Sequence, residues 1–271
     1  MIFSYQFVQR AMIAALFAGI ISGFLGTLIT EKKKIMMTSG VAHASFGGIG
    51  FGYLIGIDPM IPALGVAGLV VMTMKRMEKK LSSRSDTVMG MLWALGMALG
   101  MIFVGLRPGY PPDMTSYLFG DILTISQRDL LFMVIVSLTF VVIFSFRFEQ
   151  WKLILFDEEH ALLQGLPVDR YMSIFYLSIA VGVIAMIKVV GIILTLAILT
   201  TPPMTARLFT KRLLPRIVLA TIFAWTTIFF GFFLSFMIDV PSGAMIIFVS
   251  VLVYFLMAGW KRIGKVLAIH H

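Results

Sequence analysis

The stretch 38–56, TSGVAHASFGGIGFGYLIG, combines small and apolar residues with one imidazole, His43. If a helix enters hydrocarbon near Ile35, a rise of 1.5 Å per residue carries His43 roughly 12 Å inward. That is near the middle of a core about 30 Å thick. An ionisable group at such depth is costly and faces a bundle interior or a wet pathway. Neutral imidazole is also a common transition-metal ligand. The residues alone leave two readings: a His hydrogen-bonded to a neighbouring helix, or a ligand in a cation path.

Other chemistry-bearing groups are sparse. The chain has no Cys, which excludes disulfides, Cys-based zinc sites and thiol nucleophiles. It contains no HExxH or GxSxG motif. The 20 Met are dispersed and suit core packing better than a copper site. The segment GWKRIGKV at 259–266 has P-loop spacing except that Val266 stands where Ser or Thr would bind magnesium. It follows an apolar run rather than a strand, so it reads as a basic juxtamembrane tail. His160 is an ordinary polar residue of its loop, and His270 and His271 end the chain.

Composition sets the class. Hydrophobic residues make up 59% of the 271 and charged ones 13%, with a mean hydropathy of +0.99. The chain is expected to be an all-α polytopic membrane protein, one transmembrane domain over 1–271. The first apolar run lacks a basic lead, so no cleavable signal is expected. The net charge of +9 lies in short loops between apolar runs, a topological pattern rather than a phosphate-binding face, so nucleic acid is not an expected partner.

The apolar runs fall at about 11–29, 35–57, 60–74, 87–106, 130–146, 171–188, 189–206, 217–238 and 243–259. Hydropathy alone would allow 171–206 to be one long helix. Two passes there put the basic loops 32–34, 75–84, 147–170, 207–216 and the tail on one side. Only Arg10, Arg107, Arg128 and the turn residue Lys188 then fall elsewhere. The positive-inside rule therefore favours nine spans, with eight as the variant, and a cytoplasmic C-terminus. On the outer face Asp58, Asp113, Asp121, Asp129 and Asp239 outnumber the bases. Such a mouth either concentrates cations or is ordinary loop solubility.

Gly19/Gly23, Gly48/Gly52, Gly52/Gly56 and Gly96/Gly100 are small-xxx-small pairs, read as packing faces. Pro202 and Pro203, beside Thr200, Thr201 and Thr205, free backbone carbonyls that need hydroxyl or neighbouring-helix partners; they form a hinge or a static kink. The outer loop 107–129 is long and starts Pro-rich, and its middle is apolar enough to dip into the interface. In the cytoplasmic loop 147–170, Asp157 opens and Gly165 closes a short helix, either a docking element for a soluble partner or an interfacial helix.

Five motifs in order carry a resemblance: AHAS at 42–45, SYLFGD at 116–121, FDEEHALLQG at 156–165, TPPMTAR at 201–207 and DVPSG at 239–243. Each is weak alone, but together the chain resembles the permease subunits of ABC importers for zinc, manganese or iron. The resemblance implies a prokaryotic cytoplasmic-membrane homodimer with the metal path along its axis. It implies two cytoplasmic ATPase subunits that bind ATP and dock on a coupling helix at about 156–165, with Phe156, Asp157, Glu158, Glu159, Ala161 and Gly165 as its residues. It also implies an extracytoplasmic binding protein, no catalysis by this chain, and no covalently bound cofactor.

The transported metal ion would be bound transiently. Such permeases carry an Asp four residues before the His, which puts two ligands on one helical face. Here that position is Ser39, a neutral and weaker ligand. Asp239 or Asp121 is then a candidate for the missing carboxylate. The rival expectation is a stand-alone secondary transporter with His43 as a proton-linked group. A scaffold without transport would leave His43 unexplained.

Overall fold

A computed structural model describes residues 6–80, 85–108, 117–118, 120 and 125–269. Asp113, Asp121, most of the outer loop, His270 and His271 lie outside those residues.

Apolar runs with no water to satisfy their backbone must close their hydrogen bonds internally, and here they do so as helices. Helix α1 runs Gln6–Ile21, passes through a π-helical turn at Ser22–Gly26 and resumes at Thr27–Glu31. Then follow α2 (Ile35–Ile55), α3 (Met60–Lys80), α4 (Ser85–Leu106) and α5 (Gln127–Ser145). Two short helices, α6 (Phe148–Phe156) and α7 (Glu158–Leu163), precede α8 (Val168–Val190). The chain closes with α9 (Ile192–Phe209), α10 (Leu213–Ile238) and α11 (Ser242–Ile269).

Among the described residues eight helices are long and apolar enough to cross a membrane. The ninth long one, α2, has 21 residues, ample for a core about 30 Å thick, but its Gly, Ser, Thr and His dilute its hydropathy. It stands where the second pass was expected. The division of 171–206 into two passes also holds: Gly191, at φ 79 and ψ 170, separates α8 from α9. Only glycine takes that backbone conformation without strain. Helix α1 extends beyond its expected end at 29 and so includes Glu31.

Cross-element contacts gather the loops at two ends. At one end Lys32 pairs with Glu158, Lys34 with Glu78 at 2.6 Å, and Lys75 with Asp169 at 3.1 Å, while Glu31 meets Arg216. Segments 32–34, 75–80, 147–170 and 207–216 therefore share a side, as the charge pattern required, and the positive-inside rule makes it cytoplasmic. At the other end Lys188 joins Asp58 and Asp129. Helices α1 and α8 form the interior, with 67% and 72% of their spans buried. Helices α4 and α11, each 22% buried, form the outside.

Candidate functional site

Glycine lets α2 hold His43 inside. A Cβ on Gly96 of α4 would fall 2.3 Å from the Ala44 Cα, and one on Gly48 would fall 2.6 Å from the Ala63 Cα of α3. Backbone therefore meets backbone on two sides of α2, which is what small-xxx-small faces permit. Gly19 and Gly23 instead leave room on α1 for the side chains of Trp225 and Thr221 of α10.

Within this packing His43 is buried, 8% exposed. Its Nδ1–H donates to the Ser39 carbonyl at 2.9 Å. A carbonyl only accepts, so in the neutral ring Nδ1 carries the hydrogen and Nε2 keeps its lone pair. That is the tautomer a metal ligand needs, oriented by a backbone group as ligating histidines commonly are. Trp93 of α4 lies against the ring, with centroids 4.1 Å apart and planes tilted by 35°. Trp93 lacked any signal in the sequence, being one large apolar residue in an apolar run.

Of the other expected ligands, Ser39 adjoins His43 and Asp239 lies at the outer end of α10. Ser39 contributes its carbonyl to orienting His43. Asp239 caps the outer end of α10, exposed and in a left-handed conformation at φ 54. Its flanking helices α10 and α11 pack on each other, on α9 and on α1. Asp121 lies outside the described residues. Among the described residues, no group of three or more His, Asp, Glu or Cys could hold a metal ion.

Two of the outer acids are engaged with a base. Lys188 Nζ stands 2.8 Å from Asp129 Oδ1 and 3.4 Å from Asp58 Oδ2. Asp58 also caps α3, its Oδ1 accepting from the Met60 N–H at 3.0 Å. Beside them the Tyr53 and Tyr117 hydroxyls are 2.9 Å apart, and the Arg107 guanidinium lies over the Tyr53 ring at 5.9 Å. Burial, then the bond to Tyr53 and the nearby carboxylates, pushes the Tyr117 phenol well above its usual range, so it stays protonated. Gly120, at φ 75, packs on the Val190 carbonyl at the α8–α9 break. Tyr117 and Gly120 of the SYLFGD motif thus belong to a clamp across the outer end, and Lys188 offsets one of the two charges of Asp58 and Asp129.

The proline expectation is met in part. Pro202 has no N–H for the Ile198 carbonyl, and the Ser22 hydroxyl of the π-helical turn donates to it at 2.5 Å. Gly26 lies beside the Leu199 carbonyl, which Pro203 frees in the same way. The widened turn of α1 and the proline pair of α9 accommodate each other, and α9 continues through both.

The loop helix also forms where capping residues put it. The Asp157 side chain accepts from the His160 N–H at 2.9 Å. Gly165 takes φ 75, and the Leu166 N–H reaches back to the Ala161 carbonyl at 3.1 Å. Ala161 is buried with Ile154 and Val168, and Glu158 faces Lys32. Phe156, Glu159, Leu162 and Leu163 are exposed.

A bundle of this kind with these motifs can be compared with known proteins. The family profile described as the ABC 3 transport family matches residues 4–261. This chain belongs to the ABC 3 transport family. Within it, the chain is 31% identical over 258 residues to an uncharacterized membrane protein of Synechocystis, covering 95% of this chain and 92% of that one. It is 30% identical over 247 residues to the manganese transport system membrane protein MntC of Halalkalibacterium halodurans, covering 91% and 85%. Among solved structures, a chain of PsaBC from Streptococcus pneumoniae in complex with Fab matches with a TM-score of 0.83 at 27% identity, covering 93% of this chain and 91% of that one.

Proposed function

We propose that the chain is the permease of an ABC importer for a divalent transition metal ion, which two copies conduct between them by alternating access. His43 carries this reading: an enclosed imidazole near the middle of its helix, with Nε2 free to ligate. Among the described residues no group of three or more His, Asp, Glu or Cys forms, and a site shared between two copies would not need one within a single chain. Ser39, Asp239 and Asp121 are the further candidates along the path. A weak site suits conduction, which needs release as well as binding.

Two ATPase subunits hydrolyse ATP beneath the bundle and dock on 156–165. The exposed Phe156, Leu162 and Leu163 suit burial against a soluble partner. Pro202 and Pro203 serve as the hinge, and an extracytoplasmic binding protein delivers the ion.

The test is metal accumulation in proteoliposomes that hold the chain with its ATPase subunit, loaded in turn with manganese, zinc and iron(II). ATP-dependent accumulation of one of them is expected, and Ser39→Asp should change the order of preference. Accumulation driven by an ion gradient without ATPase would favour a secondary transporter. No accumulation of any metal would overturn the cargo.

A further inference from the structure

The end of α1 and the turn after it read EKKK at 31–34, and three of these four charges go to different parts of the cytoplasmic end. Lys32 Nζ donates to the Ile154 carbonyl at 2.8 Å and pairs with Glu158. Ile154 belongs to the last turns of α6 and Glu158 opens α7. One ammonium, its side chain 11% exposed, therefore spans both sides of the bend at Asp157. Glu31, 8% exposed, pairs with Arg216 and lies 3.9 Å from Arg207. Arg216 in turn donates to the Thr210 carbonyl at 3.3 Å and the Lys211 carbonyl at 2.9 Å, which fixes the turn between α9 and α10. Lys34 pairs with Glu78 of α3, whose carboxylate also accepts from the Tyr176 hydroxyl of α8.

The two sides of the α6–α7 elbow are distinct. Glu158 and Ala161, three apart on α7, face the bundle, and Leu162 and Leu163 face solvent. A partner pushing on the outer side meets, on the inner side, the chain's continuation into α5 and α8, the Tyr171–Gln150 hydrogen bond to α8 and the contacts of Lys32. Of these, the contacts of Lys32 lead to α1. Helix α1 is also the helix whose Ser22 holds the proline pair of α9 at 2.5 Å.

We propose that Lys32 is a positioning residue that passes movement of the α6–α7 elbow into α1, with Glu31 and Arg216 extending it to the α9–α10 turn. This rests on the reading of the elbow as the ATPase docking element. A contact between a mostly buried ammonium and a half-exposed carboxylate, 11% and 46% exposed, suits the task, because it holds at short range and has two discrete arrangements, paired or broken.

The experiment uses the permease with its ATPase subunit in proteoliposomes. It compares wild type, Lys32→Glu, Lys32→Arg and the swap Lys32→Glu/Glu158→Lys. Three quantities are read: co-purification of the ATPase subunit, ATP turnover, and metal taken up per ATP. Lys32→Glu is expected to keep the first two, since it leaves the docking face untouched, and to lower uptake per ATP by about tenfold, the scale of coupling changes of this kind. Lys32→Arg, which keeps donors for both the Ile154 carbonyl and Glu158, should recover most of it, and the swap, which restores only the ion pair, should recover part.

Unchanged uptake per ATP in Lys32→Glu would overturn the proposal. So would loss of the co-purifying subunit, which would make Lys32 a structural support, or a swap no better than the single variant. Absence of uptake in the wild-type complex would instead overturn the transport reading itself. Amide exchange over 154–163, raised in Lys32→Glu, reports the contact independently of cargo.

Discussion

Glu31 and Arg216 show what a charge costs inside a bundle. Their side chains are 8% and 4% exposed, and each is the other's main compensation. Removing one partner strands the other, a loss of about 3–5 kcal/mol for a buried pair. Glu31→Leu is therefore expected to lower the thermal unfolding midpoint in detergent sharply, and adding Arg216→Met should restore part of it. A double variant less stable than either single one would contradict the pairing. The contrast with His43 is instructive. Its polar ring needs only one backbone carbonyl, and the bond to Ser39 leaves its second nitrogen for a ligand. Lys188 follows the first pattern at the outer end, where it holds Asp58 and Asp129 together.

Elements here are held by backbone proximity and by exchange of hydrogen bonds between irregular turns. Gly96→Leu would drive a side chain into the Ala44 backbone, so α2 and α4 must part, at a cost of about 1–3 kcal/mol or more. The check is unfolding of the purified variant; a midpoint at the wild-type value would mean that the two helices do not meet there. Ser22→Ala should cost about 1–3 kcal/mol by leaving the Ile198 carbonyl unpaired. In a Pro202→Ala background the restored N–H can serve that carbonyl, so the Ser22→Ala cost should shrink or vanish. Additive losses would contradict the exchange. Much of this level was legible in the sequence. Lys and Arg placement required a break within 171–206, expected at 188–189 and found at Gly191. Asp157 and Gly165 bracketed α7, and the Gly pairs marked packing faces except at Gly56, which meets no neighbour and instead ends α2. The freed proline carbonyls called for a hydroxyl, but Ser22, 176 residues from Ile198, could not be picked out. Lys32 and Glu158 lie 126 apart, and no local pattern records such pairing, because a charge in a loop looks the same whether solvated or matched.

Across the whole molecule, the loops separate into two ends with different bonding. The cytoplasmic end is a lattice of ion pairs centred on residues 31–34. Among the described residues the outer end is a clamp of Lys188, two Asp and two Tyr. Between them stands α2, too polar to be counted as a span by hydropathy, carrying the imidazole on which the transport account turns. Alternating access requires the ends to open in turn, so the contacts at each end must be separable while the helices between them stay packed. The most direct measurement is metal accumulation by cells producing the chain with its ATPase subunit, wild type against His43→Ala, with the amount of assembled complex measured alongside. The account predicts assembly at the wild-type level and loss of accumulation of a single transition metal. Accumulation unchanged by His43→Ala would contradict it and remove His43 from the path.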